Sequence, residues 1–400
     1  MDSSNGSRRQ MCGIVEGMKS GIARRRHLVA GFGLGIIACV AVACSAGSTL
    51  SSDGAEEPVT VVAPTETTAT TAPPAPPTTI FLGPESFAAT GAAMASRIAG
   101  AGLPGGFVRV VRADRIVHEQ QIGSVNGSTV LSVASSTKWL TAATLMSLVD
   151  DGLVGLDDPV ANWLPEFAST GPAVTVRQLL THTSGVRDNA CQGNGTALAS
   201  CVRSIAGSAR EFPPGERFSY GNSDFLVIGR IVEVAGGADF ATVVEQRLTG
   251  PLAMTATTWP GAPTAANPAF GVRVSVDDYG HFLDMVLHRG MFGGRRILSE
   301  AAVAELTGDQ IRGYDTAGDF AVGITKIPRY ALGAWPDVVD VFGKTMMVSG
   351  NGGMGFYPWV DYATDSYGII GVQDERGARV AVPASQAVAI SARRVLSGEG

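Results

Sequence analysis

Four residues carry a spacing that chemistry can use. Ser135 stands three residues before Lys138 in "VLSVASSTKWLTAATLMSLVDDG", Val130 to Gly152. Of the 30 lysines and arginines in the chain only four are lysine, and no other lysine follows a serine by three. On a helix that spacing puts both side chains on one face, with the serine at the N-terminus, where the helix dipole favours negative charge. A serine hydroxyl is a poor nucleophile until a neighbour takes its proton. A lysine can take it only when uncharged, and the apolar company of Lys138 (Trp139, Leu140, Ala143, Leu145, Met146) lowers its proton affinity. The alternative is a lysine laying its stem over apolar surface. A second stretch, "ERFSYGNSDFLVIGRIVEVAGG", adds Tyr220 and Asn222. Of seven tyrosines only Tyr220 has an asparagine two residues later. A phenol beside a lysine can relay a proton, and an asparagine can hold an acyl carbonyl or amide.

These residues need a scaffold. Ser86 to Gly100 reads as a helix, followed by strands at 107–111 and 116–122 around the turn "RADR". A helix is expected from about Ser135 to Asp151 and stops at Gly152. Thr175-Val176-Arg177-Gln178 is a capping box opening a short helix. Further helices are expected at 225–235, 276–287, from Ser299, and at 385–396. Strand-like runs fall at 345–348, 355–362 and 367–372. The "FPPGERF" turn places Tyr220 and Asn222 on a loop. Strands gather at the two ends and helices in the middle. The expected class is α+β: one antiparallel sheet from both chain ends, with a mainly helical region inserted.

Ser135-x-x-Lys138 followed by Tyr220-x-Asn222 resembles the serine β-lactamase and penicillin-recognising superfamily, in particular its branch of class C β-lactamases, D-alanyl-D-alanine carboxypeptidases and esterases. "DDGLVGLDDPVANWLPEF", "VRQLLTHTSGV", "PPGERFSYGNSDFLVIGRIVE" and "MFGGRRILSE" also resemble this family, in the expected order, so the likeness covers roughly Pro84 to Gly400. The resemblance implies the β-lactamase-like fold, catalysis by Ser135, Lys138 and Tyr220, and acyl-group binding by Asn222. The third motif of the family maps to Asn351-Gly352-Gly353 in "VSGNGGMGFYPWVD". An oxyanion hole is implied from the N–H of Ser135 and one near Met354. Relatives carry a cation at the third motif where Asn351 is neutral, which weighs against substrate carboxylates. Lys344, seven residues upstream, reads as strand or loop. His182 and Ser184, in "THTSG", fall in a segment that is usually structural in this family. No Gly-x-Ser-x-Gly elbow occurs in the chain.

The chain has 400 residues and a formal net charge of −6. It has no basic run outside Arg24–Arg26, so nucleic acid is not an expected partner. Residues 1–44 read as a signal peptide: three arginines, then a 16-residue apolar run, Leu28 to Ala43. Ala43-Cys44 resembles a lipoprotein signal with Cys44 lipidated, and Cys39 is a second candidate. An uncleaved signal anchor is the alternative. Residues 45–82, rich in Thr and Pro, read as a disordered tether, and 83–400 as the folded domain. Cys191 and Cys201 then remain in an oxidising compartment. They are expected to form a disulfide, with two free thiols as the alternative. His281 and His288 lie seven apart with no Cys/His/carboxylate cluster around them in sequence, so neither metal nor other cofactor is expected.

The expectation is an exported serine hydrolase on the outer face of the cell membrane, or secreted, acting through an acyl-enzyme on a small ester, amide or peptide. A D-Ala-D-Ala carboxypeptidase or β-lactamase is the first alternative. A binding module that kept the fold but lost turnover is the second.

Overall fold

The computed structural model describes residues 84–398, apart from 169–170, 189–190 and 192–194. In chain order the first elements are α1 (Ala88–Ala101), β1 (Gly105–Arg112), β2 (Arg115–Gly123), β3 (Val130–Ser132), α2 (Thr137–Asp150), α3 (Val176–Leu180), α4 (Leu198–Ala206), α5 (Ser223–Gly236) and α6 (Phe240–Val244). They continue with β4 (Arg273–Ser275), α7 (Val276–Leu287), β5 (Met291–Phe292), β6 (Arg295–Arg296), α8 (Glu300–Thr307), α9 (Phe320–Thr325), β7 (Trp335–Val339), β8 (Thr345–Ser349), β9 (Tyr357–Asp361), β10 (Ser366–Gly371) and α10 (Ala378–Ser397).

Six strands form one antiparallel sheet in the order β2-β1-β10-β9-β8-β7. β1 and β2 come from the start of the domain and the other four from its end, so both chain ends build the sheet. Side chains alternate between its faces, as the two-residue period of a strand requires. Val108, Val110, Trp359, Ile370 and Met347 pack on the face covered by α1 and α10, with Met94, Ile98, Val388 and Ala392. Phe107, Val348, Val360 and Ile369 enter the larger core on the other face, with α2 and α7. Both faces are thus covered, and the inner strands β10, β9 and β8 are mostly buried, whereas the edge strand β2 is polar and largely exposed.

α2 runs through the larger core. Every residue from Thr137 to Leu148 is buried. A helix buried all round must satisfy its own polar groups. Thr144 and Ser147 return hydrogen bonds to α2 carbonyls, and Thr141 reaches the Pro268 carbonyl at 2.8 Å. The capping box at Thr175 and Gln178 forms as expected. Cys191 and Cys201 are joined in a disulfide, with Cα atoms 5.5 Å apart.

The start of α10 needs correction, and several elements, among them β7, α4, α6 and α9, were not expected from the sequence. β7 contains Pro336, which argues against a strand, yet β7 is the edge of the sheet, where a missing N–H is tolerated. α9 is six residues long and shows no usable period. α4 and α6 begin in loop-like sequence and owe their form to the core they cover. α10 starts at Ala378 rather than Ser385 and carries Pro383 inside it, a residue that in sequence reads as a helix boundary.

Candidate active site

Ser135 occupies a 3₁₀ turn, Ala134–Ser136, that leads from β3 into α2. Ala134 is held at φ 46°, a conformation costly for a side chain with a Cβ. Three bonds hold the turn. Thr137 Oγ1 donates to the Ala134 carbonyl at 2.6 Å, the Tyr279 hydroxyl donates to the Ser136 carbonyl at 3.0 Å, and Ser136 Oγ donates to the Gly350 carbonyl. The last bond ties the serine turn to the end of β8. Gly352 completes the junction: a Cβ there would sit 3.1 Å from Ser136 Oγ and closer still to the Val133 carbonyl.

Lys138, in the first turn of α2, is fully buried. Its Nζ lies 2.8 Å from Asn222 Oδ1, 3.1 Å from the Ala269 carbonyl and 3.4 Å from Ser135 Oγ. A neutral amine has two N–H bonds and one lone pair. The two carbonyl-type acceptors match the two donors, and the lone pair is left for the serine hydroxyl. Burial lowers the Lys138 pKa to about 7, against the opposing pull of Asp188 and Asp224.

Tyr220 and Asn222 sit on the loop that enters α5. The Tyr220 ring lies 4.9 Å from Lys138 Nζ, and Tyr220 lines the same cavity as Ser135. Burial pushes the phenol well above its usual range, although the nearby Ser135 hydroxyl opposes this. Tyr220 is therefore protonated at neutral pH while Lys138 is poised to be neutral. Between the two, the amine is the better base and the phenol the better relay.

Beneath Tyr220 lies a group that the sequence did not expose as functional. The His182 ring is 4.6 Å from the Tyr220 ring, and its Nδ1 is 2.9 Å from Asp224 Oδ2. Ser184 donates to Asp224 Oδ1 at 2.5 Å rather than to His182. Ser184 and His182 are therefore no nucleophile–base pair. Burial lowers the His182 pKa to about 3, helped by Lys138, and raises that of Asp224 well above the carboxylate range. Both groups are driven towards neutrality, and they buttress the tyrosine.

A cavity of about 290 Å³ opens over these residues. Ser135, Tyr220, Asn222, Asn351 and Gly353 line it on one side; Phe320, Ile324, Trp335 and Val382 form an apolar wall. Asn351 is only 8% exposed, and its Nδ2 has no hydrogen-bond partner among the described residues. Met354 does not line the cavity, but neither its N–H nor that of Ser135 donates to a described acceptor. Lys344 lies exposed in the turn between β7 and β8, at the far end of β8 from Asn351, and does not line the cavity. Asp188, which sequence reading passed over, does line it. Its position follows "HTSGV" in a loop with no period, so no local signal marks it. A larger hollow of about 540 Å³ lies along 239–263 but holds no nucleophile–base pair.

The expectation that no Cys/His/carboxylate cluster surrounds His281 and His288 is corrected at His288. Asp114, Asp284 and His288 bring ligand-type atoms within 4.8 Å of one another. The β1–β2 hairpin carries Asp114 there, a long-range approach that local spacing cannot reveal. Cys39 and Cys44, and the whole of 1–82, lie outside the described residues.

Comparison with known proteins fits this geometry. A family model described as Beta-lactamase matches residues 91–392. Penicillin-binding protein 4 of Amycolatopsis lactamdurans is 30% identical over 248 residues, covering 53% of this chain and 65% of that protein. Esterase EstB of Burkholderia gladioli is 30% identical over 164 residues, covering 36% of this chain and 42% of the esterase. A Bacteroides dorei protein, solved as a candidate β-lactamase, superposes with a TM-score of 0.71 at 30% identity, covering 78% of this chain and 99% of that one. A nucleophile-type serine, a buried lysine and a tyrosine meeting on an α+β scaffold, together with the family match, lead to one conclusion: the chain belongs to the β-lactamase family of the serine β-lactamase and penicillin-binding-protein superfamily.

Proposed function

We propose that this chain is an exported serine hydrolase that forms an acyl-enzyme on Ser135 with ester or small amide substrates. Ser135 Oγ attacks the carbonyl carbon while Lys138 Nζ takes its proton. The tetrahedral oxyanion is held by the N–H of Ser135 and one near Met354. As the intermediate collapses, Tyr220 passes a proton to the leaving oxygen or nitrogen and is reprotonated from Lys138. Asn222, fixed by its bond to Lys138, orients the acyl group. Water then attacks the ester on Ser135 and releases the acid.

The observation that carries this reading is the stereochemistry at Lys138 Nζ: two acceptors for two protons, and Ser135 Oγ left for the lone pair. The neutral Asn351 and the apolar wall favour uncharged esters over β-lactams and peptide carboxyl termini, and so weigh against the D-Ala-D-Ala reading. The intact Ser135–Lys138–Tyr220 cluster weighs against an inert binding module. Export is supported by the disulfide, which suits an oxidising compartment. In this proposal Cys44 bears a lipid and residues 45–82 tether the domain to the outer face of the membrane. No helix among the described residues is long and apolar enough to cross a membrane.

The test is hydrolysis of a nitrophenyl ester by the purified protein. Ser135→Ala is expected to lower kcat/KM by about 10³-fold or more. Equal rates for the two proteins remove Ser135 from the mechanism.

A further inference from the structure

The cleft carries an asymmetry of charge. Among its described lining residues, Asp188 is the only charged side chain. Its position is built. Asp188 Oδ1 accepts from the N–H of Asn222 at 2.8 Å and of Ser223 at 2.9 Å. Gly221 lets the loop close on the carboxylate, since a Cβ there would stand 2.6 Å from the same oxygen. Both backbone bonds use Oδ1. Asp188 Oδ2 accepts no hydrogen bond among the described residues, and the side chain is exposed to the cleft.

Among the described lining residues no cation balances this charge. Lys138 lies buried beneath the wall, bonded to Asn222 and Ala269. Asn351 offers an N–H but no charge. Arg379 stacks on Phe320, 4.6 Å from the ring centroid, at the rim rather than in the lining. The apolar wall of Phe320, Ile324, Trp335 and Val382 offers Asp188 no countercharge across the cavity. Asp188 binds the backbone of Asn222, the residue assigned to the acyl group, and lines the same cavity as that residue.

We propose that Asp188 is the specificity-determining residue of this cleft, favouring acyl donors that carry a cationic group and disfavouring those that carry a carboxylate. The inference rests on the serine-hydrolase reading above. A carboxylate that merely clamped the loop would change all substrates alike. A carboxylate that reads charge changes their ratio.

Three nitrophenyl esters of matched shape make the test: that of trimethylammoniobutyric acid, its isostere with a quaternary carbon in place of nitrogen, and the monoester of glutaric acid. The expected order of kcat/KM is cation, neutral, anion, with the cationic ester ahead of the neutral one by about tenfold, as for a charge-assisted contact. Asp188→Asn keeps the Oδ1 acceptor and removes the charge, so the ratio of cationic to neutral should fall towards one. Should that variant fold poorly, the wild-type protein decides the matter, because raised salt should shrink the same ratio. A wild-type ratio at or below one, a ratio unchanged in Asp188→Asn, or a ratio indifferent to salt overturns the proposal. Ser135→Ala runs alongside. If it loses all three activities, a failed ratio counts against Asp188 alone; if it keeps them, the hydrolase reading itself has failed.

Discussion

The pH dependence of turnover puts the amine at the centre of the account. A lysine with its ordinary pKa of 10.5 is neutral in only about 3 molecules in 10⁴ at pH 7, whereas burial brings Lys138 to about 7, where about half are neutral. The environment therefore raises the population of free base by about 10³-fold near neutrality. Because the base must be unprotonated, kcat/KM on an uncharged ester should rise with pH by about tenfold per unit below 7 and level off above it. The groups facing Lys138 fix the direction of any change. Asp188 favours its proton, so Asp188→Asn should move the acid limb to lower pH. His182, held near 3, and Tyr220, pushed upwards, stay neutral across the range. Asp337 is also brought to about 7 by burial, but it bonds Ser349 and Tyr357, and Asp337→Asn should leave the limb in place. The assay is initial rate at low ester concentration from about pH 5 to about pH 9. A flat profile, or a limb that Asp188→Asn does not move, refutes the reasoning.

Other outcomes follow from the same geometry. Tyr220→Phe keeps the ring against His182 and Trp335 but removes the relay, so kcat should fall by about 10²-fold to 10⁴-fold with KM little changed and the thermal midpoint preserved; a fall in KM-type binding alone would argue against the relay. Replacing Cys191 and Cys201 together by serine removes a cross-link over ten residues, and should lower unfolding free energy in denaturant titration by about 2–3 kcal/mol. An unchanged midpoint would mean that the cross-link does not constrain the unfolded chain.

The parts of the molecule that were legible in sequence share one property: their cause is local. The Ser135–Lys138 pair, the capping box at Thr175 and the hairpin around Ala113–Asp114 are each written within a few residues. Short apolar runs exposed β8 to β10, and longer apolar stretches bounded by glycine or turn residues exposed α2, α5 and α7. The cysteine pairing was readable for another reason: Cys191 and Cys201 are the two that remain in the expected exported domain. What was not legible depends on approaches across the fold. Asp188 reaches the cleft because its carboxylate meets the N–H groups of Asn222 and Ser223, more than thirty residues away. Asp224 joins His182 across 42 positions, and Asp114 meets His288 only through the β1–β2 hairpin. Trp335 lay hidden because the proline beside it masked an edge strand. Lys344 showed the reverse. It is near Asn351 in sequence, but an extended strand of five residues carries the two apart.

The central claim is that Ser135 is an activated nucleophile in an accessible cleft, and intact mass after exposure to a fluorophosphonate tests it most directly. A single stoichiometric adduct is expected on Ser135, none in Ser135→Ala, and slow labelling in Lys138→Met. A protein that stays unlabelled at long times, or an adduct that persists in Ser135→Ala, would contradict it.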